Sequence, residues 1–172
     1  MKVEFKYANV EDLSLIVETY NSTIPSQMVT ADLIPVSVES KLAWFYLHSN
    51  EKRPLWLVMC DEQYAGWMSF NSFYGRPAYD GTVEVSIYLA EQFRYKGLGK
   101  ICLQMAIDVA PSLNIHTLLG YIFGHNANSL SLFHQFNFEN WALLPKIANM
   151  NGVMRDLVIV GLKTKHTINL NS

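Results

Sequence analysis

The segment most able to do chemistry is a basic, glycine-rich turn at residues 94–100. Its sequence is Arg-Tyr-Lys-Gly-Leu-Gly-Lys. The two glycines allow backbone N–H groups to face a ligand without a Cβ in the way, and the three cations favour an anion. The spacing matches neither the P-loop of nucleotide-binding proteins nor the Gly-x-Gly-x-x-Gly turn of dinucleotide sites. Taken alone, a Gly-x-Gly pair is most often only a turn at a helix start.

The flanking elements favour a phosphate site over a plain turn. Residues 82–90 are rich in β-branched and aromatic side chains and alternate in polarity, which predicts a strand. Apolar residues at positions 101, 105, 106 and 109 fall at helical spacing, which predicts a helix over 97–110. A helix start offers unpaired N–H groups and a partial positive charge. The strand, turn and helix together predict that a phosphate-bearing ligand binds here.

Composition and charge restrict the possible classes of protein. The chain has 172 residues, of which 50% are hydrophobic and 16% charged, as expected of one ordered domain. A net charge of −2 provides no basic surface for nucleic acid. No apolar run is long enough to cross a membrane, and the N-terminus lacks the apolar core of a secretion signal. We therefore expect a cytoplasmic protein without nucleic-acid or membrane partners.

The cysteines and histidines argue against a metal site. Cys60 and Cys102 lie within apolar patterns, as buried free thiols do in a reducing compartment. None of the five histidines stands at ligand spacing from a cysteine or carboxylate. We expect the chemistry to come from an organic cosubstrate and side chains, with no metal.

Periodicity and turn signals predict the other elements, without an internal repeat or a linker. We expect an edge strand at 2–7, a helix capped by Asn9, a helix at 38–49, hairpin strands at 54–61 and 63–73, a strand at 114–123, a helix at 126–136, and strands at 138–149 and 153–163. The first helix has an apolar stripe of Leu13, Ile16, Val17 and Tyr20, and the second should turn Leu42, Phe45 and Tyr46 inward.

The segments that connect these elements also contain residues that predict their structure. The stretch 22–37 is long and irregular, and loops of that length are usually functional. Asn151-Gly152 predicts a tight turn between the last two strands. The polar tail from Thr164 is expected to fray. The sequence predicts one domain over 1–172 with its core at about 3–163.

Two segments resemble a known superfamily and one of its families. Arg-x-x-Gly-x-Gly after a strand resembles the pyrophosphate loop of the Gcn5-related N-acetyltransferases (GNAT), which holds coenzyme A. Residues 73–88 are similar to the phosphinothricin acetyltransferase family, whose pattern is roughly Phe-x-x-Arg-x-Ala-Tyr-x-x-Thr-Val-Glu-x-Ser-Val-Tyr. Tyr20-Asn21, Asn126-x-x-Ser129 and Arg155-Asp156-Leu157 also fit, so the resemblance covers residues 3–163.

The resemblance implies a fold and an acetyl-CoA site. The fold would be α/β (α+β), with a mixed, mostly antiparallel central sheet flanked by helices on both faces. Backbone at 87–89 would polarise the acetyl carbonyl and pair with the pantetheine arm as an extra strand would. The implied acetyl-CoA-binding residues are Ile87, Tyr88, Leu89, Arg94, Tyr95, Lys96, Gly97, Leu98, Gly99, Lys100, Asn126 and Ser129. Asn126 could also serve only as a helix N-cap, and the two roles are compatible.

The resemblance also implies a general base, Glu84. A strand carboxylate is most often solvated, but Glu84 shares its face with Thr82 and Ser86, opposite Val83 and Val85. A polar stripe immediately before the phosphate turn suits a reaction cleft. An amine must lose its proton before it attacks a thioester, and a carboxylate can accept that proton through water.

The loop at 73–81 and the stretch at 22–37 would hold the acceptor. By the resemblance Met28, Phe73, Arg76 and Tyr79 line the acceptor pocket together with Glu84. The planar fork of Arg76 suits a carboxylate or phosphinate. The alternative is an ordinary exposed loop with a snorkelling arginine.

The sequence departs from the superfamily pattern at two positions. A tyrosine seven residues after the asparagine commonly protonates the departing thiolate, but here the position is Phe133, and His134 should face elsewhere because one helical step turns a side chain by about 100°. Tyr95 stands where glycine is usual, and we expect only its backbone amide to face phosphate.

These observations predict an acetyl-CoA-dependent N-acetyltransferase acting by direct transfer on a small amino-acid-like amine of the phosphinothricin, methionine sulfoximine or methionine sulfone type. Two alternatives stay open: another amine, such as a polyamine, an antibiotic or a protein N-terminus, and a CoA-binding sensor without turnover. The resemblance and composition also predict a homodimer whose interface lies near the last strands and the 22–37 loop. The sequence does not identify the physiological acceptor.

Overall fold

A computed structural model describes residues 1–164 and confirms the predicted order of elements. The four helices are α1 (Leu13–Asn21), α2 (Val38–Phe45), α3 (Leu98–Val109) and α4 (Ala127–Gln135). The seven strands are β1 (Val3–Tyr7), β2 (Leu55–Cys60), β3 (Gln63–Ser72), β4 (Thr82–Leu89), β5 (Thr117–Phe123), β6 (Glu139–Met150) and β7 (Val153–Lys163). Residues 165–172 of the predicted tail lie outside the described residues. None of the helices within the described part is long and apolar enough to cross a membrane.

The strands form one twisted layer in the order β1-β2-β3-β4-β5-β7-β6. Every neighbouring pair is antiparallel except β4 and β5. A parallel pair needs a crossover connection, which α3 supplies. The predicted mixed, mostly antiparallel sheet is therefore confirmed.

Each face of the sheet is covered by two helices. The larger core lies under α3 and α4, where Cys102, Leu103 and Phe133 pack against Val83 and Leu118 of the central strands. The smaller core lies under α1 and α2 on the other face, and its buried members are Leu13, Ile16, Val17, Leu55, Leu57 and Trp67. Because strand side chains alternate, the even-numbered residues of β4 face α1 and α2. Helices on both faces are therefore confirmed.

The central pair of strands separates midway. β4 and β5 pair only at Thr82↔Thr117, Val83↔Leu118 and Glu84↔Leu119. Beyond Glu84, β4 continues to Leu89 paired with β3 alone, and β5 continues to Phe123 paired with β7 alone. The sheet therefore contains a wedge-shaped gap with an unpaired backbone edge at 85–89, and Glu84 stands at its apex.

Three details differ from the prediction. The second helix ends at Phe45 instead of Ser49, so Tyr46 lies outside it and is 68% exposed, not inward. The fifth strand begins at Thr117 because the preceding residues 110–113 form a short 3₁₀ turn that ends in a left-handed Asn114. Thr164 is buried, and its hydroxyl donates to the Ile115 carbonyl (2.8 Å), so fraying does not begin there.

Candidate active site

A cavity of about 580 Å³ opens on the α1–α2 face beside the strand gap. Its floor is the polar face of β3 and β4, and its cover is α1, α2 and the segment that follows α2. The lining residues are Ile16, Val17, Tyr20, Lys41, Trp44, Leu47, His48, Arg53, Trp67, Phe70, Asn71, Ser72, Gly75, Glu84, Ser86 and Tyr88. The volume and the few convergent polar groups are typical of a small-molecule site.

Glu84 is the carboxylate in this cavity, as the sequence predicts. Its neighbours Val83 and Val85 are buried on the opposite face, so strand geometry alone directs Glu84 toward α1 and α2. Burial raises the pKa of Glu84 from its ordinary value near 4.5 to about 6, against a smaller lowering by a hydrogen bond from Ser86. A carboxylate that titrates near neutrality is suited to accept and release a proton.

Aromatic rings form one wall of the cavity. Tyr88 stacks on Trp67 with 4.5 Å between ring centroids, and Tyr20 lies 5.2 Å from Tyr88. The Tyr20 hydroxyl bonds to Thr30 and Asp32 and so ties α1 to the 22–37 loop. Burial raises the pKa of Tyr20 to about 12, which keeps the phenol protonated at neutral pH. The rings make this part of the cavity lining largely apolar.

Two cationic side chains also line the cavity. Lys41 lies over the Tyr20 ring (4.7 Å from the centroid). Arg53 is 4% exposed, and its Nε donates to Ser72 Oγ (2.8 Å) while Nη2 donates to the Asp80 carbonyl (2.8 Å). Arg53 therefore joins both ends of the 73–81 loop to the cavity wall. The cavity thus presents one carboxylate, Glu84, together with the cations Lys41 and Arg53.

The predicted acceptor residues of the 73–81 loop are close to the cavity but do not line it. Phe73, Tyr74 and Tyr79 form an exposed aromatic cluster with ring centroids 5.5–6.0 Å apart. The Arg76 guanidinium lies 5.9 Å from the centroid of Tyr74. From this loop and its start, the cavity lining includes Ser72 and Gly75. The cluster therefore lies outside the mouth of the cavity.

The glycine-rich turn joins the free edge of β4 to α3. Gly97 is the N-cap of α3 with φ +86°, and no described side chain caps this helix start. A Cβ built at Gly97 meets no atom within 4 Å, so the space in front of the helix start is open. Leu98 points into the core, whereas Lys96 and Lys100 are exposed. The uncapped amides and open space are what an anion requires.

Two side chains of this turn behave differently from a simple phosphate ligand. Tyr95 has φ +60°, the left-handed conformation that explains why glycine is usual here, and its ring is 92% exposed. Arg94 donates from Nε to the Leu89 carbonyl (2.8 Å) and from Nη2 to Ser22 Oγ (3.1 Å). In this arrangement Arg94 fixes the turn against the end of β4 and the 22–37 loop.

Asn126 connects α4 with the 22–37 loop. Its Oδ1 accepts from the Ser129 amide (3.1 Å), which confirms the helix cap, and its Nδ2 donates to the Met28 carbonyl (3.0 Å). His125 Nε2 lies 3.0 Å from the Gln27 carbonyl. Met28 is thus held by its backbone against the start of α4, and it is not among the residues that line the cavity.

The structure places Phe133 in the core. It is 7% exposed, packs against Phe138 at 4.9 Å between centroids, and would collide with a Cβ at Gly120. His134 Nε2 lies 2.9 Å from Asn140 Oδ1 at the surface, so His134 faces away from the core, as expected.

Sequence reasoning missed several residues of the cavity. These are Lys41, Trp44, His48, Arg53 and Asn71. Lys41 and Trp44 (i, i+3) lie on one face of α2, a spacing that could have been recognised, whereas His48 lies beyond the end of the helix. Arg53 follows α2 in an irregular segment and carries no pattern. Among the described residues, no group of three or more potential ligands could hold a metal ion.

The fold and site define the class of protein. The sequence profile described as "Acetyltransferase (GNAT) family" matches residues 17–138, and the chain belongs to this family. Within it, the chain is of the phosphinothricin acetyltransferase type, and the predicted enzyme class, an N-acetyltransferase, is confirmed.

Three relatives illustrate the similarity. The chain is 48% identical to "Putative phosphinothricin acetyltransferase YwnH" of Bacillus subtilis (strain 168), over 91% of this chain and 96% of that protein. It is 28% identical to the L-methionine sulfoximine/L-methionine sulfone acetyltransferase of Pseudomonas paraeruginosa, over 97% and 98% of the two chains. The crystal structure of a phosphinothricin acetyltransferase from Sinorhizobium meliloti in complex with AcCoA shares the fold, with a TM-score of 0.89, 23% identity and coverage of 100% and 94%.

Proposed function

We propose that this protein transfers the acetyl group of acetyl-CoA directly to the primary amine of a small, amino-acid-like acceptor, with Glu84 as the general base. The observation that carries the proposal is the position of Glu84, a buried carboxylate at the apex of the strand gap and on the wall of the cavity. At this point the two substrates would approach from opposite sides of the sheet's edge.

The strand gap and the α3 start fit acetyl-CoA. The backbone edge at 85–89 has no strand partner on the β5 side, so the pantetheine arm can pair there. The uncapped amides around Gly97–Gly99 suit the pyrophosphate. Backbone N–H groups of 87–89 would stabilise the negative charge that develops on the acetyl oxygen, and such donors usually provide the largest share of barrier lowering.

The reaction requires one proton transfer at Glu84. The substrate ammonium first loses one proton to the Glu84 carboxylate through water, which gives the neutral amine. The amine nitrogen then forms a bond to the acetyl carbon as the carbon–sulfur bond breaks, and the second proton of that nitrogen passes to the released thiolate or to solvent. Since Phe133 is in the core and carries no acidic proton, the thiolate leaves without help from that position. A thiol pKa of about 8.5 makes the thiolate a tolerable leaving group.

The charge distribution of the cavity supports an acceptor with both an amine and an anionic group. Glu84 would face the amine, while Lys41 and Arg53 provide positive charge for a carboxylate, sulfoximine or phosphinate. Arg76 lies on the neighbouring loop and could close over the same group. The relatives named for phosphinothricin and for methionine sulfoximine and sulfone act on compounds of this description.

The proposal predicts the behaviour of the wild type and of Glu84→Gln in a CoA thiol-release assay. The wild type should acetylate methionine sulfoximine, methionine sulfone or phosphinothricin better than polyamines or peptide N-termini. Glu84→Gln should lower kcat by roughly 10²–10⁴-fold, because it removes the base, with a smaller loss at high pH where more amine is neutral. Wild-type turnover by the variant would exclude Glu84 as the base, and equal rates on all amines would exclude the acceptor class.

Gly97→Val should weaken acetyl-CoA binding more than it affects folding. The built Cβ meets no protein atom, but a β-branched side chain resists φ +86° and would occupy the space in front of the helix amides. Calorimetric titration with acetyl-CoA measures the effect. Gly152→Val in the last hairpin is a matched control, since Gly152 also has a positive φ (+89°) and open space. Wild-type affinity in folded Gly97→Val would mean that the turn does not bind phosphate.

We also propose that two copies associate through β6 and β7. These two strands carry large apolar side chains that are 43–61% exposed, namely Trp141, Leu143, Ile147, Val153 and Met154. Exposed apolar groups of this extent favour an interface. Light scattering at micromolar concentration should give twice the chain mass of 19.6 kDa, and Leu143→Lys should reduce it; a monomeric wild type would contradict the proposal.

A further inference from the structure

The cavity contains a directed chain of hydrogen bonds that ends at Glu84. On the polar face of β3 and β4, Asn71 lies directly opposite Glu84 in the strand register, and Ser69 lies opposite Ser86. The Asn71 amide is within hydrogen-bond distance of four side chains from α2, β3 and β4 and the segment after α2. These four contacts together fix the orientation of the Asn71 side chain.

The orientation of the Asn71 amide follows from its partners. The indole Nε1 of Trp44 can only donate, and it lies 3.3 Å from Asn71 Oδ1. That contact assigns the oxygen to the α2 side. The Nδ2 group then faces the two serine hydroxyls, at 3.2 Å from Ser69 Oγ and 3.1 Å from Ser86 Oγ. Both amide hydrogens are therefore directed at serine oxygens.

His48 supports the same orientation. Its Nε2 lies 3.2 Å from Asn71 Oδ1 and its Nδ1 lies 3.0 Å from the Trp44 carbonyl. Both partners are acceptors, and burial lowers the pKa of His48, so the neutral ring carries one proton and donates to one of these acceptors at a time. The ring also packs against Trp44 at 4.7 Å between centroids. Trp44 thus holds the Asn71 oxygen from the α2 side, and His48 donates to the same oxygen when its Nε2 carries the proton.

Ser86 transmits this orientation to the carboxylate. Because its oxygen accepts from Asn71, its own hydrogen is available for Glu84 Oε1, 3.4 Å away. This last contact is long for an O–H···O bond and is the weakest link of the chain. A hydroxyl that donates to a carboxylate stabilises the ionised form, which is the form that a general base requires.

We propose that Asn71 is a positioning residue for catalysis: it holds the Ser86 hydroxyl with its hydrogen directed at Glu84 and thereby keeps the carboxylate ionised and oriented toward the acceptor amine. The inference rests on the proposed function of Glu84 as the base. It also gives α2 a role in the chemistry, because Trp44 and His48 position the amide that positions the hydroxyl.

Other charged and titratable groups share the surroundings of Glu84. Tyr88 on its own strand and Tyr121 on β5 each have a pKa that is raised mainly by burial and further by the Glu84 charge. The groups on the other walls are Tyr20 and Asp32 around α1, Lys41 on α2, and His48 and Arg53 after it. The substitutions below keep all of these side chains. Ser86→Ala also keeps the contact between His48 and Asn71, so its effect on the titration of Glu84 reports the Ser86 hydroxyl.

The test is the pH profile of kcat/KM for the acceptor at saturating acetyl-CoA. Loss of the donated hydrogen bond raises the pKa of Glu84, so the acidic limb moves to higher pH. Asn71→Leu and Ser86→Ala should each raise the midpoint of the acidic limb by about 0.5 pH unit. At pH values below that midpoint kcat/KM should fall about threefold, and on the alkaline plateau it should change little. The KM for acetyl-CoA should not change. Ser86→Thr, which keeps the hydroxyl, should restore the wild-type limb.

Two further variants separate positioning from general disruption. Ser69→Ala removes the other acceptor of the same amide without touching Glu84, and its limb should stay at the wild-type pH. The double variant Asn71→Leu/Ser86→Ala should move the limb no further than Ser86→Ala alone, because both act through one hydroxyl. If Asn71→Leu does not fold, the proposal is still tested by Ser86→Ala, with Ser86→Thr as the variant that restores the hydroxyl and Ser69→Ala as the control.

The outcomes distinguish this inference from the proposed function. An unmoved limb in Asn71→Leu and Ser86→Ala, with Glu84→Gln still inactive, would overturn the positioning role and leave Glu84 as the base. Wild-type turnover in Glu84→Gln would overturn both. A shift of equal size in Ser69→Ala would show that any disturbance of this sheet face has the effect, and would also overturn the inference.

Discussion

The separation of β4 from β5 at Glu84 is the constraint on which the rest of the site depends. Where the strands part, the sheet leaves a backbone edge unpaired and places a carboxylate under α1 and α2. The native pKa near 6 lies above the ordinary value near 4.5, so ionised Glu84 costs about 2 kcal/mol of folding free energy at neutral pH. That cost is present above about pH 6 and disappears as the pH falls below about 4.5. A fold selected only for stability would not keep this group.

The two faces of the sheet have different roles: one contributes mainly to stability, and the other carries the candidate active site. Under α3 and α4 the core is apolar and closely packed, and Phe133, which stands where the superfamily commonly has an acid, belongs to it. Under α1 and α2 the apolar core is small, and polar side chains of β3 and β4 open into the cavity. Strand alternation allows both in the same segment of chain. The chemistry is thereby separated from the packing that supports it.

Local patterns predicted the elements and the central carboxylate well. Alternation placed Glu84 opposite Val83 and Val85, and the strand–turn–helix signal located the uncapped start of α3. The place of Arg53 in the cavity could not be predicted, because it depends on contacts with Ser72 and Asp80 and so on how the 73–81 loop folds back. The role proposed for Asn71 depends on the strand register, which places it directly opposite Glu84. Tyr46 was misassigned because the helix ended one turn early.

The most direct test is an NMR titration of the Glu84 carboxyl carbon in ¹³C-glutamate-labelled protein without substrates, with the resonance identified by its absence in Glu84→Gln. The account predicts a midpoint near pH 6, because burial at the strand gap disfavours the charged form. A midpoint at or below the ordinary value near 4.5 would show that the carboxylate is solvated. The cavity would then lack the proton acceptor on which the proposed mechanism depends.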